Sequence, residues 1–220
     1  MIKFEHTEVM SFEGAIRGMR NPMNSWDKSD SYWTLDETDV PNQKFIIGPN
    51  DLALCQKLIK GGPVHSKFLR QIMVSVDITA PLYWWKEFDT YKVGTVANSC
   101  STMHKIHAKE FTLDDFSHEH LGGELNEDSL DWLEGTIDLL NRKRQVFLLT
   151  KGKDYWWQMI QLLPSSYNQK RTITLNYEVL RNIRRWRKNH KLDEWSIGFM
   201  NWIDSLPYAD ELINFAMDIE

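Results

Sequence analysis

The side chains best suited to chemistry in this sequence are cationic. His104, Lys105, His107 and Lys109 follow one another in a polar stretch, and Arg181, Arg184, Arg185 and Lys188 recur at i, i+3, i+4 and i+7. The second spacing places four cations on one helix face, which is either a solvated surface or a seat for an anion held by charge-assisted hydrogen bonds. Cys100 with His104 is a thiol–imidazole pair at a spacing that chance readily supplies. His104 and His107 lack a third ligand for a metal, and the sequence holds no glycine-rich phosphate loop and no nucleophile elbow.

Composition narrows the classes. At 220 residues and 42% hydrophobic the chain can bury a continuous core without staples. Its two cysteines, Cys55 and Cys100, match no redox or metal-ligand motif, which predicts a reducing, cytoplasmic setting. A formal charge of -5 argues against wholesale binding to a nucleic-acid backbone, so nucleic acid is not an expected partner. No apolar run approaches the roughly 20 residues a membrane span needs. Lys3, Glu5, His6 and Glu8 occupy the place of a signal peptide's apolar stretch, so a soluble, unexported protein with no membrane partner is expected. The ten tryptophans, seven tyrosines and ten phenylalanines suit core and interface positions.

The elements that must position these residues follow from periodicity. Asn50-Asp51 caps a predicted helix carrying Leu52, Cys55, Leu58 and Ile59, ended by Gly61-Gly62. Ile72, Val74, Val76 and Ile78 alternate with Met73, Ser75, Asp77 and Thr79, the period of a half-buried strand. Thr79 is the expected cap of the next helix, with Pro81 in its first turn. Asn98–Gly123 lacks periodicity and reads as a long functional loop. A long amphipathic helix from near Asn126 and a second over Tyr155–Leu163, stopped by Pro164, should pair as a hairpin. Thr172–Leu175 reads as a strand, Asn176 as the cap of a helix to about His190, and Asp193 as the cap of another through Ile203. With no repeat or linker, the expectation is a single α/β domain over residues 1–220, a mixed sheet flanked by helices.

Several ordered motifs carry a family resemblance. Ala80-Pro81 follows the alternating strand and leads into a helix. Leu163-Pro164, Tyr167, Thr174-Leu175-Asn176, Leu180, Asn182, Arg187 and His190 come later in order, and Ala15-Ile16-Arg17-Gly18-Met19-Arg20 with Ser25, then His65 with Phe68, come earlier. Together these resemble the flavin-dependent thymidylate synthases across essentially the whole chain.

The resemblance implies a homotetramer that binds FAD and a pyrimidine nucleotide. In such an enzyme NADPH and methylenetetrahydrofolate would supply hydride and one carbon for methylating dUMP. It assigns flavin contacts to Asn176, Asn182 and His190, with His65 and Lys92 also at cofactor positions. It assigns the substrate nucleotide to Arg187, Arg20 and Cys100. The family's Arg-His-Arg signature is replaced by Thr90-Tyr91-Lys92, its following Ser by Cys100, and the flanking residues by Ala97-Asn98 and Thr102. Losing two guanidinium contacts of about 1.5–3 kcal/mol each would weaken anion binding by roughly a hundredfold to ten-thousandfold. The implied alternative is a non-catalytic descendant that binds, senses or sequesters a nucleotide. A DNA-binding role for residues 181–191 is disfavoured by the acidic balance and the lack of a recognition motif.

Overall fold

The computed structural model describes residues 2–34, 43–122 and 127–217. In chain order its main elements are β1 (Lys3–Met10), α1 (Phe12–Met19), β2 (Tyr32–Trp33), β3 (Phe45–Ile46), α2 (Pro49–Lys60), β4 (Met73–Pro81) and α3 (Leu82–Phe88). There follow β5 (Val96–Ser99), α4 (Glu127–Thr150), α5 (Lys153–Leu162), β6 (Asn168–Asn176), α6 (Tyr177–Arg187) and α7 (Met200–Asp204).

Four strands pair in the order β1-β4-β6-β5, and β2 pairs with β3 as a small separate ladder. The Leu82 N–H donates to the Tyr167 carbonyl at 3.0 Å and the Tyr177 N–H to that of Ile72 at 3.1 Å, so β4 and β6 run antiparallel. The fold is an antiparallel sheet flanked by helices, where alternating strands and helices predict a mixed one. Parallel neighbours in a sheet need a crossover connection, usually one helix packed on the sheet. Here α4 and α5 instead pack on each other ahead of β6.

The described chain packs as two compact units, Met1–Glu5 with Asp77–Thr90 and Ala97–Thr172, and His6–Val76 with Tyr91–Val96 and Ile173–Glu220. In the first, the expected helical hairpin is present. Leu133, Ile137 and Leu140 of α4 and Met159 of α5 share a core with Ile106, Phe111 and Phe116. The expected start at Asn126 lies outside the described residues. Trp84 stacks on Phe88 with centroids 5.1 Å apart, and the Trp85 Nε1–H donates to the Gln169 carbonyl at 2.9 Å. The strand does not yield to a helix at Thr79. Ile78 and Ala80 continue the buried face of β4, so pairing persists to Pro81, which itself caps α3. Within the stretch read as a loop, Asn98 and Ser99 close β5 and Leu113–Asp115 forms a 3-10 turn. Gly123 lies outside the described residues.

In the second unit, α2 begins earlier than its polar pair suggests. Gly48 is the N-cap and Pro49 fills the first position, where a missing N–H is harmless, while Asp51 turns inward as an ion-pair partner. Asn176 caps α6 as expected: its Oδ1 accepts the Val179 N–H at 3.0 Å, and Tyr177, Leu180 and Ile183 are buried below it. The helix ends at Arg187 rather than His190, and Asp193 precedes a π-helical turn, Glu194–Phe199, without a side-chain cap bond.

Candidate functional site

The N-terminal turns of α6 border a cavity of about 490 Å³ in the second unit. Asn176 and Asn182, two residues singled out from the sequence, share its wall with Arg70, Arg181, Arg185 and Glu178. Backbone shape makes room for it. Gly94 sits at φ +76, and a Cβ there would lie 3.2 Å from both Asn176 Nδ2 and Val179 Cγ2, so the position takes glycine for its dihedral and for its close approach. Gly62, also on the wall, has φ +89 and nothing within 4 Å of where its Cβ would be.

Charge on this wall is biased positive, three guanidinium groups against one carboxylate. Arg181 is buried, and its Nη1 donates to the carbonyls of Ile213 at 2.8 Å and Phe215 at 2.6 Å, tying the following chain to α6. The first turn of α6 adds the partial positive charge of a helix N-terminus.

At the other end of α6 the residues assigned to nucleotide and flavin meet an aromatic cluster. Arg187 Nε–H donates to the Tyr91 hydroxyl at 3.0 Å, and its guanidinium carbon lies 5.7 Å from the Tyr91 ring centre and 5.3 Å from that of Trp195. His190 stands edge-on to Trp195 at 6.4 Å, and its Nδ1 accepts the Leu192 N–H at 3.1 Å. Arg187 and His190 therefore share a neighbour. The Tyr91 hydroxyl orients Arg187.

Arg20 lies elsewhere in this unit. It is buried, with Nε 2.5 Å from Asp51 Oδ1 and Nη1 3.3 Å from the Ser25 carbonyl. Asp51 Oδ2 also accepts the hydroxyls of Ser29 at 2.7 Å and Ser31 at 2.6 Å. Burial alone would raise this carboxyl's pKa, but the Ser31 and Ser29 hydroxyls and the Arg20 guanidinium outweigh it and hold it below the ordinary value. His65 and Lys92 are both exposed, the former beside Gly61 and the latter accepting the Thr95 N–H through its carbonyl.

Cys100 belongs to the first unit, on a separate cavity of about 490 Å³ lined also by Lys105, Lys109, Asp115 and Tyr167. Its backbone is fixed by the Lys170 carbonyl at 2.9 Å and by Gln169 Nε2 at 2.7 Å, its thiol is exposed, and Lys109 pairs with Asp115. Cys55, by contrast, is buried, and burial pushes its thiol up to about 12, so it stays protonated and inert. Among the described residues, no group of three or more His, Cys, Asp or Glu side chains is arranged to hold a metal ion. No described helix is long and apolar enough to cross a membrane.

The fold has counterparts among known proteins. A thymidylate synthase X from Helicobacter pylori, solved with FAD and dUMP, superposes with a TM-score of 0.64 at 17% identity over 96% of each chain. A UMP/dUMP methylase, PolB from Streptomyces cacaoi, bound with 5-Br UMP, superposes with a TM-score of 0.63 at 11% identity over 99% of this chain and 96% of that one. The likeness is one of fold. No protein-family model and no curated protein sequence matches the chain.

Sequence reasoning did not single out Arg70, Gly62 or Gly94 as site residues. Gly62 carries a signal, the glycine pair ending α2, which by its spacing reads as a helix stop. Arg70 and Gly94 reach the α6 cavity from distant stretches of chain, which local spacing does not reveal.

Proposed function

We propose that this chain is a flavin-dependent thymidylate synthase-like protein that binds FAD and a pyrimidine nucleotide. The observation that carries the proposal is the joint placement of Asn176 and Asn182 on one cavity at the head of α6, in a fold shared with proteins solved with FAD, dUMP and 5-Br UMP. The residues present fit a flavin nucleotide in kind: two amides to bond polar edges, arginines for phosphate, and a glycine-lined wall a Cβ would obstruct. A flavin bound there would supply hydride chemistry, and Asn176 and Asn182 would hold and orient it. Arg187, set by Tyr91 and Trp195, would present its planar fork to the nucleotide. As an enzyme, the protein would use NADPH and methylenetetrahydrofolate.

A second reading, a nucleotide-binding protein without catalysis, is favoured by two observations. Thr90-Tyr91-Lys92 replaces the basic signature, and Arg20 is paired with Asp51 within the unit. Both readings share nucleotide binding and a homotetramer. Saturating dUMP should raise the thermal unfolding midpoint through mass action, and light scattering should give four times the 26.0 kDa chain mass. An unmoved midpoint together with a monomer would overturn both readings.

A further inference from the structure

The α6 cavity has a charge pattern that the lost signature does not account for. Three arginines face one glutamate on its wall. Arg181 serves the carbonyls of Ile213 and Phe215, a structural task. Arg70 projects from the 3-10 turn Lys67–Arg70 and is exposed, with its Nη2 3.4 Å from the Pro63 carbonyl, at the long limit of a hydrogen bond. Arg185 enters from α6 itself, an 11-residue helix whose N-terminal turn, headed by Asn176, also borders the cavity. Gly62 and Gly94, the two positive-φ glycines among the described residues, line the same wall, so an entering group meets main chain with no Cβ in the way. Guanidinium forks, a helix N-terminus and unobstructed backbone are the ingredients of phosphate recognition.

We propose that Arg70 and Arg185 bind a phosphoryl group in this cavity, supplying from the 3-10 turn and from α6 the charge that Thr90-Tyr91-Lys92 lacks. The idea depends on the proposed function only for the ligand's identity, since the diphosphate of FAD and that of a simple nucleoside diphosphate offer the same chemistry.

The test is isothermal titration of the full chain with inorganic pyrophosphate, ADP, FAD and riboflavin, in the wild type and in Arg70→Gln, Arg185→Gln and, as a control on the exposed face of α4, Arg142→Gln. Pyrophosphate and ADP should bind, and FAD should bind more tightly than riboflavin. Arg70→Gln and Arg185→Gln should each weaken the phosphorylated probes by roughly tenfold or more, while Arg142→Gln leaves them unchanged. Arg70 is exposed, so Arg70→Gln should stay folded and keeps the test valid if Arg185→Gln does not. If pyrophosphate and ADP bind through both arginines but FAD does not, the phosphoryl site stands and the flavin reading fails. If FAD binds and neither substitution weakens it, or if no phosphorylated probe binds, the phosphoryl site is overturned.

Discussion

Replacing Asp51 by Ala should lower the unfolding free energy by about 3–5 kcal/mol, measured by urea denaturation followed through tryptophan fluorescence. Asp51 has no solvent exposure and Arg20 only 4%, so the truncation strands a buried guanidinium. Four further groups, the Ser29 and Ser31 hydroxyls and the Asp30 and Ser31 backbone N–H donors, lose an acceptor with it. The double change Arg20→Met with Asp51→Leu should recover much of the loss, because two apolar side chains leave no uncompensated charge. Titration has a definite sign. The folded carboxyl lies below its ordinary value of 3.8, so its contribution is fully present above that pH and fades as pH falls through the folded value. The wild type should therefore lose stability in acid more steeply than Asp51→Ala. Equal slopes below pH 4 would show that Asp51 contributes no such linkage.

Arg187→Ala should weaken dUMP binding by roughly tenfold to a hundredfold in calorimetry, the loss of a charge-assisted contact, with little change in the unfolding midpoint. Tyr91→Phe keeps the ring at 5.7 Å but removes the hydroxyl that accepts Nε–H at 3.0 Å, so it should reproduce a smaller part of that loss. An Arg187→Ala protein that binds dUMP as the wild type does would show that the nucleotide does not use this side chain.

Local patterns carried much of this fold. The alternation from Ile72 to Ile78 marks β4, the amphipathic pattern from near Asn126 marks α4, and Asn176 marks the cap of α6, because each is fixed by neighbours within a few residues. The boundaries that moved were set by partners far along the chain. Thr79 stays in the strand because the pairing with β6 continues to Leu82 opposite Tyr167. Asp51 is helical rather than a cap because its carboxylate is claimed by Arg20, 31 residues away. The site follows the same rule. Asn176 and Asn182 are legible through the family resemblance, whose ordered motif runs from Thr174-Leu175-Asn176 to His190. Arg70 and Gly94 join them only through tertiary folding, and the ring of Trp195 beside Arg187 carries no sign of that role in its spacing.

Flavin entry into the α6 cavity is read most directly from the visible difference spectrum of the protein titrated with FAD. A perturbed flavin band should appear and saturate at one FAD per chain. Binding should be weaker in Asn176→Ala and in Asn182→Ala. No perturbation up to saturating FAD, or a perturbation indifferent to both substitutions, would contradict flavin entry there.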